Sequence, residues 1–188
     1  EGACNTVIQS MQLGLGVARM EVVDEAAIHA VNKYAKLGLE EAPTLFLEFH
    51  GTDVSARNQV ELFREIAEGE GAIRFDWAEK EEDRRRLWKA RHEFYWAVKS
   101  TWPGKDTFAT DICVPISRLA ECVVETQEDI KALGLIAPIA GHAGDGNFHT
   151  QPMIDRRSAF IEGVVERCGT DALARLWSDP AALPTPNE

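Results

Sequence analysis

Helical and strand periodicities alternate along this chain, and that alternation restricts its fold more than any other feature of the sequence. Residues 17–23 place polar and apolar side chains in turn, which is typical of a half-buried strand. After Asp24, which can cap a helix, apolar side chains follow at helical spacing. Because this order recurs to about residue 153, we predict an α+β fold. Polar alternation on several strands favours a mostly antiparallel or mixed sheet with helices packed on one face.

Size and charge narrow the classes of protein to which the chain belongs. Its 188 residues, 45% of them hydrophobic and 27% charged, suit one globular domain rather than a disordered chain. The net charge of −11 argues against a nucleic acid as partner, although one local arginine can still attract a small anionic substrate. No apolar run reaches the roughly 18 residues of a transmembrane segment, so we expect none.

The segment GHAGDGNFH, residues 141–149, lies between two predicted strands. Asp145 and Gly146 form the pair that a type I′ hairpin turn prefers, and such a turn would bring His142 and His149 near each other. Two neutral imidazoles held together begin a site for a divalent metal such as zinc or manganese. A tight hairpin whose histidines only form local hydrogen bonds is the alternative, since no third ligand is adjacent in the sequence.

Arg91 falls on the apolar side of a predicted long helix, four residues after Leu87 and three before Phe94. A guanidinium group that faces a core is costly unless an anion meets it. One possible anion is the carboxylate of a substrate, which an arginine binds in a bidentate manner. The other is an internal acid such as Asp111, and the spacing alone leaves both open.

Three segments in this order and spacing, LWKARHEFYWA, TDICVPISRL and GHAGDGNFH, resemble the FAD-linked 2-hydroxy-acid dehydrogenases. Within that family, the chain looks most like the cytochrome-linked D-lactate dehydrogenases, which are relatives of the glycolate oxidase flavin subunit. The resemblance implies that residues 1–170 form the C-terminal cap, or substrate, domain, incomplete at both ends. It leaves residues 171–188 as a divergent tail that contains proline.

The resemblance also implies an activity and a set of site residues. The metal-binding histidines of the family fall on His142 and His149, with zinc or manganese as the ion, and its substrate-carboxylate arginine falls on Arg91. FAD would be held mainly by another domain, so we expect no FAD contacts in this segment. The whole enzyme would oxidise D-lactate, or a similar small D-2-hydroxy acid, to the 2-oxo acid. Electrons would pass through FAD to cytochrome c or a similar acceptor.

One feature of the family is missing from the sequence. The Glu-His-Gly stretch that supplies the third metal ligand and the base does not occur, so we name no catalytic residue. We expect the isolated chain to be inactive without its flavin domain. The alternative is a stand-alone metal-binding or regulatory module, catalytically inactive. The resemblance implies a mitochondrial location in a eukaryote and a cytoplasmic one otherwise.

Overall fold

The computed structural model describes residues 1–78 and 80–154. Elements in this part of the chain follow one another as helices and strands, as the periodicities predict. In chain order they are α1 (Gly2–Gln12), β1 (Val17–Val23), α2 (Glu25–Ala35), β2 (Thr44–Phe49), α3 (Asp53–Gly69), α4 (Glu81–His92), α5 (Phe94–Thr101), β3 (Asp106–Thr107), β4 (Ile112–Cys113), α6 (Leu119–Ala132), β5 (Ile139–Gly141), β6 (Asn147–Thr150) and β7 (Met153–Ile154). No described helix has the length and apolar character required to cross a membrane.

The main sheet has five strands in the order β2-β1-β5-β6-β4, and its neighbouring strands pair antiparallel. Strand β1 therefore lies between β2 and β5, with Glu21 opposite Phe46 and Val22 opposite Gly141. In the next ladder, His149 of β6 lies opposite Ala140 of β5. Strands β3 and β7 form a separate two-stranded sheet. The predicted α+β fold with an antiparallel sheet is confirmed.

Helices cover both faces of the main sheet, whereas the sequence led us to expect helices on one face. Neighbouring residues of one strand point to opposite faces, and Val22 and Val23 are only 4% and 1% exposed. Val23 belongs to a hydrophobic cluster with residues of α2, α4 and α5. Val22 belongs to another with residues of α1, α3 and α6. Polar alternation on β1 suggested an open face, but one of its polar residues, Glu21, is 7% exposed.

The predicted long helix is interrupted at Glu93, which ends α4 and precedes α5. Its apolar side remains continuous across the break, because Ala90, Phe94 and Val98 all lie in the same hydrophobic cluster as Val23. Packing of this side against α2 and the sheet brings α4, with Arg91 near its end, close to β1.

The chain divides into two compact units, and the described helices and the main sheet belong to the first, Glu1–Pro103 with Thr107–Met153. The second unit comprises Gly104–Asp106 and 154–188, of which the structure describes only Gly104–Asp106 and Ile154. The expected boundary between residues 170 and 171 lies outside the described residues.

Candidate active site

The connection from β5 to β6 brings the two motif histidines together. A short 3-10 turn, Ala143–Asp145, follows His142 and ends at Gly146, which has φ 71°. The backbone N–H groups of Asp145 and Asn147 both donate to the carbonyl of His142, at 3.0 and 3.2 Å. The predicted type I′ turn is wrong, because that turn needs positive φ at both central residues and Asp145 does not have it. The turn nevertheless returns the chain so that β6 pairs with β5.

Two glycines of the motif allow close approach of backbone segments. A Cβ atom on Gly141 would collide with the Cα atom of Phe148 on the neighbouring strand. A Cβ atom on Gly146 would collide with the carbonyl oxygen of Val114, and the positive φ at this position also disfavours other residues. These glycines thus have a structural role in the hairpin that carries the histidines.

The rings of His142 and His149 are perpendicular, with centroids 6.1 Å apart. His149 Nδ1 lies 2.9 Å from the carbonyl oxygen of Thr110, and His142 Nδ1 lies 2.6 Å from Oε1 of Glu21. A carbonyl and an ionised carboxylate only accept hydrogen bonds, so each Nδ1 atom donates. In a neutral imidazole, this leaves the lone pair of Nε2 available on both rings, which is the usual state of a metal-binding histidine.

Glu21 is the residue of this site that the sequence did not reveal. Its side chain is 9% exposed, and its two oxygens contact different partners. Oε1 accepts from His142 Nδ1 at 2.6 Å, and Oε2 accepts from Arg91 Nη2 at 2.7 Å. The available signal was a single acid within the strand sequence VARMEVV, where an alternating pattern suggested exposure. Glu21 thereby joins two of the three predicted site residues.

Arg91 does meet an internal acid, but that acid is Glu21 and not Asp111. Asp111 instead accepts a hydrogen bond from Asn147 at 2.7 Å and lies 3.5 Å from His149 Nδ1. The Arg91 side chain is 14% exposed, and its Nε atom is buried without a hydrogen-bond partner among the described residues. Glu21 therefore satisfies only part of the donor capacity of this guanidinium group.

A cavity of about 220 Å³ lies beside these contacts. It is lined by Arg19, Glu21, Trp88, Arg91, His92 and His142. Both of its guanidinium groups are paired with carboxylates, Arg91 with Glu21 at 2.7 Å and Arg19 with Glu48 at 3.5 Å. The guanidinium of Arg19 lies over the ring of Trp88, 5.3 Å from its centroid. The size suits a small ligand, and the Arg91 donors that Glu21 leaves unused suit an anionic group on it. His149 is not part of this lining.

The histidine pair fits part of a divalent metal site. Its two Nε2 atoms are the kind of donor that zinc and manganese accept. Glu21 contacts the Nδ1 atom of His142, so in this arrangement it is a partner of a ligand rather than a ligand itself. Within residues 1–78 and 80–154, no group of three or more His, Cys, Asp or Glu side chains is placed to hold a metal ion.

Comparisons with known proteins identify related sequences and folds. The family described as FAD linked oxidases, C-terminal domain, matches residues 1–177. A probable mitochondrial D-lactate dehydrogenase of Danio rerio is 44% identical over 178 residues, covering 93% of this chain and 36% of that protein. The mitochondrial D-lactate dehydrogenase (cytochrome) of Arabidopsis thaliana is 40% identical over 165 residues, covering 88% of this chain and 29% of that protein.

A solved structure supports the fold at low sequence identity. The alkyldihydroxyacetonephosphate synthase structure has a TM-score of 0.58 at 11% identity, covering 95% of this chain and 37% of that chain. At this identity the similarity concerns the fold alone. The chain spans about a third of the length of the curated relatives it matches, 36% and 29% for the two dehydrogenases above.

Proposed function

Because the chain belongs to the family of FAD linked oxidases, C-terminal domain, we propose that it is the substrate-binding part of a flavin-dependent oxidoreductase. The membership and the D-lactate dehydrogenase relatives confirm the predicted relationship to the FAD-linked 2-hydroxy-acid dehydrogenases. In our proposal the whole enzyme oxidises D-lactate, or a similar small D-2-hydroxy acid, to the 2-oxo acid. The names of the eukaryotic relatives support a mitochondrial location.

The observation that carries this proposal is the small cavity lined by His142 and by Arg91, whose donor capacity Glu21 fills only in part. Arg91 binds the substrate carboxylate through donors that Glu21 does not use, since a guanidinium group has five N–H donors. A fixed carboxylate orients the adjacent carbon, which carries the hydroxyl group to be oxidised. Trp88 supplies an apolar wall to the same cavity.

His142 and His149 hold a divalent ion, zinc or manganese, through their Nε2 atoms. The hydrogen bonds of both Nδ1 atoms support this role, because they leave Nε2 unprotonated in the neutral rings. When bound, the ion supplies Lewis-acid chemistry that lowers the pKa of the substrate hydroxyl group. A third protein ligand and the base that removes the hydroxyl proton are not assigned to described residues.

Oxidation of the substrate removes the proton of the hydroxyl group. It also removes a hydrogen with two electrons from the carbon that carries this hydroxyl group. FAD, when bound, supplies the acceptor for those two electrons, and cytochrome c or a similar protein takes them onward. We assign no FAD contact to any described residue and propose that another part of the enzyme holds the flavin. The part played by this chain is to bind and orient the 2-hydroxy acid.

The test is anaerobic reduction of the flavin in the holoenzyme that contains this chain. D-lactate should bleach the visible flavin absorbance at low substrate concentration, whereas L-lactate should not. Subsequent addition of oxidised cytochrome c should restore the absorbance. Flavin that remains oxidised with D-lactate and with every other small D-2-hydroxy acid tested would contradict the proposal.

A further inference from the structure

We propose that Glu21 is a positioning residue that holds the carboxylate-binding group, Arg91, and the metal-binding group, His142, in one fixed arrangement. This inference rests on the proposed function and extends it to a residue with a role of its own. Glu21 lines the cavity, but its two oxygens are used by Arg91 and His142. It acts through these two side chains, which bind the substrate carboxylate and the ion.

The backbone of Glu21 is fixed by its place in the sheet. Strand β1 is paired on one side with β2, where Glu21 lies opposite Phe46. On the other side, the neighbouring Val22 lies opposite Gly141 of β5. His142 follows Gly141 directly, so the strand that carries Glu21 also sets the starting point of the histidine turn. The sheet therefore fixes the backbone from which the Glu21 carboxylate reaches Arg91 and His142.

The burial of Glu21 requires both of its hydrogen bonds. An ionised carboxylate that is 9% exposed loses most of its hydration and is tolerated only when donors replace the lost water. Nη2 of Arg91 and Nδ1 of His142 are those donors, one on each oxygen. Because each oxygen is used by a different element, the carboxylate connects helix α4 with the turn after β5.

The orientation of His142 depends on this contact more than on packing. Its side chain is 55% exposed, so few neighbouring atoms restrict the ring. Glu21 accepts a hydrogen bond at Nδ1 and thereby selects the tautomer in which Nε2 carries the lone pair. Second partners of this kind typically change the metal affinity of a site by about 10- to 100-fold when they are lost.

Glu21→Gln separates this role from simple packing, since glutamine has nearly the same size and shape. Its amide has one accepting oxygen and a donating nitrogen, so it cannot accept from both Arg91 and His142 Nδ1. If the oxygen meets Arg91, the nitrogen donates to Nδ1 and the proton of the neutral ring moves to Nε2. The matched control is Glu41→Gln, because Glu41 also pairs with a histidine Nδ1, that of His29 at 3.0 Å, but is 51% exposed and does not line the cavity.

Titration calorimetry of the 188-residue chain with Mn²⁺ and Zn²⁺ gives the first readout, and steady-state kinetics of the holoenzyme with D-lactate gives the second. We expect Glu21→Gln to weaken metal binding by about 10- to 100-fold or to raise KM for D-lactate by a similar factor. Glu41→Gln should change neither. Metal affinity and KM that both stay within about twofold of the unsubstituted protein would contradict the role of Glu21.

A measurement without substitution covers the case in which Glu21→Gln fails to fold. Nitrogen NMR of the ion-free unsubstituted chain should show His142 protonated at Nδ1 and unprotonated at Nε2 when the ring is neutral. The opposite tautomer would overturn the inference.

The outcomes separate the two proposals. An unsubstituted chain that binds neither ion would contradict the proposed metal site itself. If the unsubstituted chain binds the ion and Glu21→Gln changes neither this binding nor KM, only the role of Glu21 is contradicted.

Discussion

The imidazole rings of His142 and His149 are perpendicular to each other, with their centroids 6.1 Å apart, and each ring uses Nδ1 for a hydrogen bond within the protein. The acceptors differ, since one is the carboxylate of Glu21 and the other is the backbone carbonyl of Thr110. Only the first acceptor can be changed by substitution of a side chain. The two rings therefore offer separate tests of how the site is held.

Substitution of a proposed metal ligand should weaken metal binding more than substitution of its outer partner does. We expect His149→Asn to weaken binding of Mn²⁺ or Zn²⁺ to the chain by at least about 100-fold, because loss of a ligand exceeds the loss of an outer partner. His50→Asn is the control, since that side chain is 71% exposed and contacts Glu48. Calorimetry measures both variants, and equal affinities would show that His149 does not bind the ion.

A lysine in place of Arg91 tests carboxylate binding while it retains the charge that Glu21 needs. Lysine cannot present two parallel donors, so we expect kcat/KM for D-lactate to fall by about 10- to 150-fold, from the loss of about 1.5–3 kcal/mol. The holoenzyme kinetics should show most of this as a higher KM. Arg118→Lys, at a site where the side chain is 63% exposed, should have no effect. Unchanged kcat/KM in Arg91→Lys would exclude Arg91 from the site.

The backbone of the histidine turn can be tested through two glycines with similar φ. Gly146 has φ 71° and lies against Val114, whereas Gly134 has φ 63° with no atom within 4 Å of a Cβ. We expect Gly134→Ala to cost about 1 kcal/mol of unfolding free energy and Gly146→Ala clearly more, with weaker metal binding. Urea unfolding and calorimetry measure the two effects. Equal costs would mean that the collision with Val114 is relieved without strain.

Stability should fall with rising pH because of Asp24, whose carboxyl caps α2 by accepting from Ala27 N–H at 2.8 Å. Burial raises the pKa of Asp24 from 3.8 to about 6. A raised pKa means that the folded state favours the protonated form, so this group lowers the unfolding free energy as pH rises from about 4 to about 6. The full loss is at most about 3 kcal/mol above that range.

Asp24→Asn removes the charge and keeps an oxygen that can cap the helix. We expect it to raise the unfolding free energy at pH 7.5 by about 1–2 kcal/mol, since a carboxylate at a helix start has a favourable dipole interaction that is also lost. Urea unfolding at pH 4 and pH 7.5 measures the change. A variant that is less stable than the unsubstituted chain at pH 7.5 would show that the ionised carboxylate is well accommodated.

Features that depend on residues close together in the sequence could be predicted from it. The Asp24 cap, the hairpin of residues 141–149 and the apolar side around Arg91 all follow from local spacing, and the structure contains each of them. The type of turn was not predictable, because Asp145 and Gly146 are compatible with more than one turn and the contact of Gly146 with Val114 is tertiary.

The sequence by itself determined the order of helices and strands, the family and the residue types available for a site, because these depend on periodicity and on motifs of a few residues. Only the tertiary structure decided that Glu21 lies between Arg91 and His142, which are 70 and 121 residues away from it along the chain. Polar alternation on β1 indicates which side of the strand Glu21 occupies. Whether that side meets water or two side-chain donors depends on which helix packs there and which strand pairs beside it.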